Sequence, residues 1–407
     1  MNFYLHIPFC RQKCPYCKFA LTPVFTELKK RRYIEYLKKE IREYFSKSSL
    51  HVEAWNILPR KNSQDISSSL SLESKWQKPE TIYFWWWTPS ILTIDEVREI
   101  LECFQTLSPW GDALGEVTFE CNPEDITSEY VAWLLDHWVN RISLWVQSLG
   151  NQTLKAIHRS DRESILQALR NIESSLLSFS ERESLSEKHR SLAIAKDDKI
   201  VSWISLNIDF ILGLPYSKPW ETLANIRELH EAFPHITHTS VYMLEDGHYP
   251  KDWKHHSITE EEMQKEYRDI CVYFESIGWH HYEISNWSKP GYESMHNQGY
   301  WNHTNTRAFG LSGTSYRDGR RWTNASSFSG YYAEKIEDDE VLSDESIRLE
   351  KIIYGIRTFS LSARGFSPNI LRELDEKGDV QIIDQKIILT PAWIFRENTI
   401  IGMLIEV

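Results

Sequence analysis

A chain of 407 residues, of which 41% are hydrophobic, has the length for two or three domains or for one large barrel with an appendage. The formal net charge of -12 argues against general affinity for nucleic acid or for an anionic membrane surface. No apolar run is long enough to span a bilayer, and six cysteines without a secretory signal argue against a disulfide framework. We therefore expect a cytoplasmic protein whose cysteines are reduced.

Six apolar, β-branched or aromatic runs predict strands, and amphipathic helical stretches separate most of them. The predicted strands are Phe3–Phe9, Thr81–Trp85, Glu116–Cys121, Arg141–Gln147, Asn207–Leu212 and Thr239–Leu244. The predicted helices are Glu27–Phe45, Ile94–Leu107 and Ser128–His137, with Thr93 and Thr127 as N-caps of the last two. Alternating strands and helices indicate a parallel sheet with right-handed crossovers, so we expect an α/β fold with a partial (β/α)6 TIM-like barrel.

The alternation of strands and helices is interrupted twice and then ends. Residues 46–80 and 174–198 are rich in Ser, Lys and Glu, which predicts surface insertions. After about residue 250 the predicted elements are the helices Thr259–Ile277 and Asp344–Phe359 and a β-hairpin at Val380–Leu389. We expect a core barrel over residues 1–248 and a smaller, mainly helical C-terminal domain over residues 249–407.

A loop behind the first predicted strand contains Cys10, Cys14 and Cys17 in a C-x3-C-x2-C spacing. Such close spacing lets one loop place its thiolates around a single metal centre. Three thiolates are one fewer than the four that close a structural zinc site or an iron–sulfur cluster. If the loop holds a 4Fe-4S cluster, one iron is open for a non-protein ligand. Zinc, with His6 or a distant residue as fourth ligand, is the alternative on spacing alone.

The other cysteines and the strand ends complete the pattern of candidate residues. The remaining cysteines lie in apolar contexts and are expected to be buried: Cys103, Cys121 and Cys271. Polar residues follow three other predicted strands, namely Glu120, Asn122 and Pro123, then Gln147, Ser148, His158 and Arg159, then Asp209 and the run Gly213–Pro215. Each could be a strand-end cap, but a parallel barrel binds its ligand at the carboxyl ends of the strands. Together they predict one site at one mouth.

The ordered motifs HIPFC-x3-C-x2-C, TPS, ECNP, VQS and IDFILGLP resemble radical S-adenosylmethionine (SAM) proteins, and more narrowly their coproporphyrinogen dehydrogenase-like branch. The resemblance covers nearly the whole chain outside the two insertions. It implies that the three cysteines ligate three irons of a 4Fe-4S cluster and that SAM chelates the open iron. Electron transfer into SAM would release a 5′-deoxyadenosyl radical, which is chemistry that the cofactor supplies. It also implies that Tyr4 and Tyr16 flank the cluster loop. The residues implied to bind SAM are Tyr4, Tyr16, Trp86, Trp87, Thr88, Glu120, Gln147, Arg159 and Asp209.

Tryptophan is over-represented in this chain, with 17 residues against 16 glycines. Average glycine use of about 7% would give roughly 28 glycines. In the family a GGGTP turn lets the backbone approach the amino end of SAM, and here Trp85–Trp87 stand in place of those glycines. Trp138, Trp145 and Trp393 also stand at family glycine positions, whereas Trp301 stands where an aromatic residue belongs. Either SAM binding is lost, or opal codons that the source organism reads as glycine were translated as tryptophan; the second hypothesis explains both composition and position.

Two features separate the branches of this family. The oxygen-independent coproporphyrinogen dehydrogenases have a fourth cysteine two residues after the third and a long N-terminal segment, whereas Phe19 stands here and nine residues precede Cys10. The HemW-type heme chaperones have phenylalanine at that position and a later HNxxYW motif, which His296–Trp301 matches. Histidine is a natural axial ligand of heme iron, and Tyr and Trp can pack on a porphyrin face.

The resemblance therefore implies a heme chaperone that binds heme at His296, Tyr300 and Trp301 and passes it to acceptor hemoproteins. The fallback heme ligands are His158, His280 and His281. The alternative is an enzyme that converts the propionates of coproporphyrinogen III to vinyl groups. Gly313, Thr314 and Ser315 stand where the family more often has a G-A-H-S segment. The resemblance leaves open whether the protein forms a homodimer and whether it associates peripherally with a membrane.

Overall fold

The computed structural model describes residues 1–18, 22–23, 25–56, 80–85, 89–105, 115–183, 194–196, 199–201, 204–244, 249–390 and 396–405. Its strands are β1 (Asn2–His6), β2 (Thr81–Trp85), β3 (Glu116–Cys121), β4 (Arg141–Gln147), β5 (Ile194–Lys196), β6 (Lys199–Val201), β7 (Ser205–Leu212), β8 (Ile236–Met243), β9 (His280–Glu283), β10 (Asn286–Ser288), β11 (Thr306–Phe309), β12 (Thr314–Arg317), β13 (Arg320–Asn324), β14 (Ile336–Val341), β15 (Val380–Ile383) and β16 (Lys386–Leu389). Its helices are α1 (Glu27–Asn56), α2 (Ile94–Gln105), α3 (Ser128–Asp136), α4 (Asn151–Ala156), α5 (Arg162–Glu183), α6 (Glu221–Ala232), α7 (Glu260–Ser276), α8 (Met295–Trp301), α9 (Phe328–Tyr332), α10 (Asp344–Arg357), α11 (Pro368–Glu376) and α12 (Glu397–Ile405).

One sheet organises the fold, with the strand order β14-β13-β12-β11-β1-β2-β3-β4-β7-β8-β10-β9. The strands β1, β2, β3, β4, β7 and β8 run parallel, and helices connect most of them. The α/β class and the partial six-stranded barrel are therefore confirmed. Among the described residues, no helix combines the length and the apolar character that a membrane span requires.

The bounds of the barrel strands follow the apolar runs closely. Those of β2, β3 and β4 agree with the prediction, and β7 and β8 begin two and three residues earlier than expected. Strand β1 ends at His6 rather than Phe9. Pro8 has no N–H for the strand ladder, so the chain leaves the sheet there and enters the cysteine loop.

The predicted helices are confirmed; α1 is longer than expected, and α5 lies where no helix was named. The Thr127 hydroxyl accepts a hydrogen bond from the Tyr130 amide at the start of α3, and the Thr93 hydroxyl accepts one from Glu96 at the start of α2. Helix α1 continues to Asn56 and α5 to Glu183, so the first residues of both predicted insertions are helical. Neither continuation contains Gly or Pro, which would have ended the helix.

After residue 250 the chain returns to the barrel sheet, which the sequence did not predict. Strand β11 pairs in parallel with β1, β12–β14 extend that edge, and β10 pairs with β8. These strands are short and polar, as in the sequences TRAF and TSYR, so no apolar run marks them. The predicted boundary at 248/249 lies between strands of one sheet. A separate hydrophobic cluster, with members between Ile352 and Leu404, forms the core of the C-terminal helices and of the confirmed hairpin β15–β16.

Two tryptophans have backbone conformations that suit glycine. Trp138 follows α3 and has a φ of 73°. The amide of the next residue, Val139, donates a hydrogen bond to the Leu134 carbonyl at 3.1 Å. This is the left-handed position at which a helix commonly ends on glycine. Trp220, which precedes α6, has φ of 61°. A bulky residue with positive φ is an outlier, because its Cβ crowds the backbone.

We predict that Trp138→Gly will keep or raise the free energy of unfolding, because it removes a left-handed strain of about 1–2 kcal/mol. Trp133→Gly is the matched control, since Trp133 is also partly buried against the main core but lies inside α3. There glycine should cost at least about 1 kcal/mol. Urea unfolding measures both variants. An equal loss in both would contradict the interpretation.

Candidate functional site

The cysteine loop lies directly behind β1. Cys10, Cys14 and Cys17 are buried, are not joined by a disulfide and form one contact cluster, against which Tyr16 packs. Among the described residues, no group of three or more His, Cys, Asp and Glu side chains is arranged to hold a single metal ion, as a zinc site would require. A 4Fe-4S cluster makes a different demand, because each thiolate binds a different iron. Three buried thiols on one loop suit that demand.

Two contacts hold the loop in place. The Arg11 guanidinium donates to the Asp125 carboxylate at 2.9 Å, and the Ser90 hydroxyl donates to the other oxygen of Asp125 at 2.9 Å. The Asp125 side chain is 1% exposed and the Arg11 side chain 57%, so a buried carboxylate holds a cation at the surface. The Gln12 side chain donates to the His158 carbonyl. The loop is therefore fixed to the segments that follow β2, β3 and β4.

Arg159 brings a positive charge next to the thiols. Burial lowers the pKa of Arg159, but Tyr16 and Cys14 raise it, and the net shift is upward. Its guanidinium donates to the Trp145 carbonyl at 2.8 Å and lies 5.6 Å from the centroid of the Trp145 ring. Burial, followed by the neighbouring Cys14, raises the pKa of Tyr16. Arg159 and Tyr16 thus lie next to the cysteine loop.

Carboxylates and tyrosines line the barrel below the loop. The Tyr83 hydroxyl donates to Glu120 at 2.8 Å, and 5% of Glu120 is exposed. Burial and then Glu120 raise the pKa of Tyr83. The Trp85 ring packs on Tyr4 and Tyr83, with centroid distances of 5.6 and 5.7 Å. This indole therefore occupies the end of β2, in the space between the tyrosines of β1 and β2.

Asp209 completes the row of acceptors on the barrel wall. It accepts hydrogen bonds from Ser143 at 2.8 Å and from Asn207 at 2.9 Å. Burial raises the pKa of Asp209, although these hydrogen bonds and the charge of Arg159 act in the opposite direction. Tyr242 at the end of β8 is 44% exposed and interacts electrostatically with Asp209. The wall therefore presents acceptor oxygens next to one cation.

Gln147 ends β4 with a left-handed backbone and a buried side-chain amide. Its φ is 65°, and its Oε1 atom is buried without a hydrogen-bond partner. A buried amide oxygen without a donor suits a ligand that brings an N–H or O–H group. The ammonium and hydroxyl groups of SAM are such donors, so the described residues fit it. Four predicted positions lie outside the described residues: Phe19, Trp86, Trp87 and Thr88.

The HNxxYW motif lies at the opposite end of the barrel from the cysteine loop. His296 is the second residue of α8 and is 1% exposed. Its Nδ1 is 2.7 Å from the Thr81 hydroxyl and its Nε2 is 3.2 Å from the Tyr300 hydroxyl. Thr81 and Glu116 are the first residues of β2 and β3, which defines the amino end of the barrel. Burial lowers the pKa of His296 to about 3. Both ring nitrogens are thus engaged in this conformation, and the structure does not bring His296 near the cysteines.

The remaining predicted heme residues are dispersed. The Trp301 ring packs on Tyr354 at 5.5 Å. His158 is exposed beside the cysteine loop, and His280 is exposed and lies 2.9 Å from the Glu293 carboxylate. His281 stacks on Trp287 at 4.2 Å, and burial lowers its pKa to about 3. The fallback ligands therefore do not form one site.

A family model described as the radical SAM superfamily matches residues 4–176. The chain therefore carries a radical SAM domain. Over most of its length it resembles the heme chaperone HemW: it is 27% identical to the Lactococcus lactis protein, over 87% of this chain and 80% of that protein. It is 25% identical to the Bacillus subtilis protein, over 98% of this chain and 97% of that protein.

A second kind of relative is similar over a shorter stretch. The oxygen-independent coproporphyrinogen III oxidase of Helicobacter pylori is 26% identical, over 53% of this chain and 36% of that protein.

A solved structure is similar over nearly the whole chain. The coproporphyrinogen III oxidase HemN from Escherichia coli superimposes with a TM-score of 0.72 at 16% identity, covering 99% of this chain and 89% of that one. This structural similarity shows that the two chains share their fold.

Sequence reasoning found the strand-end residues but not their supports. It did not identify Asp125, which holds the cysteine loop through Arg11. It also missed Tyr83, which donates a hydrogen bond to Glu120, and Tyr242, which interacts electrostatically with Asp209. Tyr83 and Tyr242 lie two residues before the ends of predicted strands, and Asp125 lies two residues after the ECNP motif. The spacing of two residues from the strand end was the available signal for the tyrosines, because side chains two positions apart on a strand lie on the same face of the sheet.

The amino end of the barrel depends on one buried ion pair. Arg141 donates to Glu116 at 2.8 Å, and the exposed fractions of the two side chains are 3% and 0%. The Glu116 carboxylate also accepts the Met295 and His296 amides of α8 at 2.9 and 3.1 Å. Burial would raise the pKa of Glu116, but Arg141 and these amides bring it below its ordinary value.

We predict that Glu116→Gln will lower the free energy of unfolding by about 3 kcal/mol, because Arg141 is then a buried charge without its partner. The pKa of Glu116 is depressed in the folded state, so its contribution is present above the unfolded pKa of about 4.3 and is lost as the pH falls through the folded pKa.

Denaturant titration at neutral and acidic pH measures this loss. Glu163→Gln is the matched control, since Glu163 pairs with Arg170 on the surface and is 76% exposed. The control should change stability by less than about 1 kcal/mol. A loss no larger in Glu116→Gln than in the control would refute the structural role of the pair.

Proposed function

We propose that this protein is a cytoplasmic heme chaperone that carries a 4Fe-4S cluster and SAM at the mouth of its barrel and transfers heme to acceptor hemoproteins. One geometric observation carries the proposal: Cys10, Cys14 and Cys17 form one buried cluster on the loop that follows β1, beside the carboxyl ends of the parallel strands. Similarity to proteins named heme chaperones over nearly the whole chain supports the choice of branch.

The residues at the mouth suit the two proposed cofactors. The three thiolates would hold three irons and leave one for the amino and carboxylate groups of SAM. When bound, the cluster supplies one electron to the sulfonium of SAM. Gln147, Glu120 and Asp209 offer acceptor oxygens to the ammonium and hydroxyl groups of SAM, and Arg159 offers a cation beside the thiolates.

Heme binding by His296, Tyr300 and Trp301 follows from the motif that they share with the HemW-type proteins. In the described conformation the His296 ring is hydrogen-bonded to Thr81 and Tyr300. Ligation by His296 would therefore require at least one of these bonds to break, at a net cost of about 1 kcal/mol per bond. Removal of α8 from the amino end of the barrel would also be needed, because only 1% of His296 is exposed.

We further propose that Trp85–Trp87, Trp138, Trp145 and Trp393 are glycines in the native protein, encoded by opal codons. The positive φ of Trp138 supports this, because glycine adopts it without strain. The position of the Trp85 ring between Tyr4 and Tyr83 also supports it, since glycine there would open the barrel below the cysteine loop. Trp393, Trp86 and Trp87 lie outside the described residues.

We expect the anaerobically reconstituted protein to bind heme and to leave coproporphyrinogen III unchanged in the presence of SAM. Absorption spectra measure heme binding, and chromatography of the porphyrins measures decarboxylation. Cys14→Ser is the cluster variant, and it should lose the iron–sulfur absorbance while Cys103→Ser, a buried cysteine far along the chain, should keep it.

The two functions give opposite results in this assay. Formation of protoporphyrinogen IX would refute the chaperone and establish the decarboxylating enzyme. Heme binding followed by transfer to an apo-hemoprotein, without decarboxylation, would exclude the enzyme. Transfer is measured by the absorption spectrum of the separated acceptor.

We predict TGA triplets at the codons for residues 85–87 and 138, and a TGG triplet for Trp301. Expression of the chain with glycine at 85–87 should then raise the affinity for SAM, measured by calorimetry on the cluster-loaded protein. Glycine at Trp133, inside α3, is the control and should leave that affinity unchanged. TGG triplets at 85–87 would refute the recoding.

A further inference from the structure

A chain of buried hydrogen bonds crosses the barrel wall and ends at Asp209. Asn207 on β7 donates through Nδ2 to the Asp209 carboxylate at 2.9 Å and to the Ser143 hydroxyl at 2.8 Å. His238 Nδ1 lies 2.6 Å from Asn207 Oδ1, and His238 Nε2 lies 2.7 Å from the Tyr282 hydroxyl. All of these side chains are buried, so the protein itself must supply their hydrogen bonds.

The register of three neighbouring strands places these residues side by side. Asn207 is the partner of Ser143 on β4 and of His238 on β8, and Asp209 is the partner of Ser240. Side chains two positions apart on a strand lie on the same face of the sheet, so Asn207 and Asp209 share one face. The Ser240 hydroxyl donates to Asn207 Oδ1 at 3.2 Å on that face. The position of the chain is therefore set by the strands and not by a loop.

The donors and acceptors of this chain permit one arrangement of protons. A carboxylate only accepts, so the amide nitrogen of Asn207 faces Asp209 and the amide oxygen faces His238. Burial holds the pKa of His238 well below its ordinary value, and the single proton of the neutral ring must lie on Nδ1 to reach that oxygen. Nε2 then accepts from the Tyr282 hydroxyl, which itself accepts the Ser294 amide at 3.3 Å. Every donor in the chain thus points toward Asp209.

The charge of Asp209 depends on these donors. Burial raises the pKa of Asp209, and the hydrogen bonds from its neighbours and the charge of Arg159 oppose the shift. The other titratable or charged groups that face the chain are Tyr83 and Tyr242 near Asp209, Arg141 and Tyr282 near His238, and the carboxyls Glu120 and Glu283 beside those tyrosines. Burial raises the pKa of Glu283 to about 7, so Asp209 and Glu283 can both gain a proton as the pH falls.

We propose that His238 is a positioning residue that, through Asn207, keeps the Asp209 carboxylate ready to accept a donor group of SAM. This inference rests on the proposed SAM site at the mouth of the barrel. Without the Nδ1 proton, the Asn207 amide is free to turn its oxygen toward Asp209. Two oxygens would then face each other, and Asp209 would bind a proton in place of a donor of SAM.

Calorimetric titration of the cluster-loaded, full-length protein with SAM, at several pH values on either side of neutrality, tests this role. We expect His238→Leu to weaken SAM binding about tenfold at acidic pH, because a hydrogen bond to a charged group is lost, and to change it little at alkaline pH. His238→Asn should restore the unaltered profile, since its amide N–H is attached at the same carbon as Nδ1. Asp209→Asn identifies the part of the profile that belongs to Asp209.

His230→Leu is the matched control. His230 of α6 also bonds β8, at the Thr239 hydroxyl at 3.0 Å, and burial lowers its pKa to about 3. Thr239 lies between His238 and Ser240, so its side chain points to the opposite face of the strand. This control should leave the pH profile of SAM binding unchanged.

Nitrogen NMR of the histidine rings tests the proton arrangement without SAM. The difference between the spectra of the unaltered protein and His238→Asn identifies the His238 signals, which should show a neutral ring protonated on Nδ1. A proton on Nε2 would place the Asn207 nitrogen against His238 and its oxygen against Asp209. That result would overturn the proposal.

The failures of the two proposals can be told apart. If the unaltered protein binds no SAM at any pH, the proposed SAM site fails, and this role of His238 fails with it. If SAM binds but His238→Leu weakens it equally at every pH, or no more than His230→Leu does, only the positioning role is refuted. A structural defect alone would not shift the pH profile and would not be repaired by His238→Asn.

Discussion

A buried carboxylate closes the amino end of the barrel. Glu116 accepts five donors, from Thr118, Arg141, Ser294, Met295 and His296, and its side chain is fully buried. A buried charge is tolerated only when it is paired and hydrogen-bonded, so β3, β4 and α8 are held together there. Helix α8 is therefore anchored over the amino end of the barrel.

The two ends of the barrel are connected through one side chain. The Tyr83 ring packs on the His296 ring at 4.6 Å, while its hydroxyl bonds Glu120 at the other end. The cysteine loop above is fixed by Asp125 and by the His158 carbonyl, which follow β3 and β4. Packed and hydrogen-bonded contacts thus run from the mouth of the barrel to α8.

Much of the barrel was predictable because its strands are apolar runs that polar residues end. The runs at Thr81–Trp85 and Glu116–Cys121 are strands with those bounds, and the strand-end rule selected Glu120 and Asp209. The strands β11–β14 were missed, because short polar strands at a sheet edge have no apolar period. Asp125 and Tyr83 were missed as well, since their partners Arg11 and Glu120 come from other segments of the chain.

The sequence by itself determined the parallel barrel, the three-cysteine loop and the surplus of tryptophan, because these depend on local residue pattern and composition. Only the tertiary structure decided the surroundings of His296 and His303. His296 and His303 are seven residues apart, yet one is hydrogen-bonded at the base of the barrel and the other lies against Glu350 with a free Nε2. Burial and hydrogen-bond partners come from distant segments, so local sequence cannot assign them.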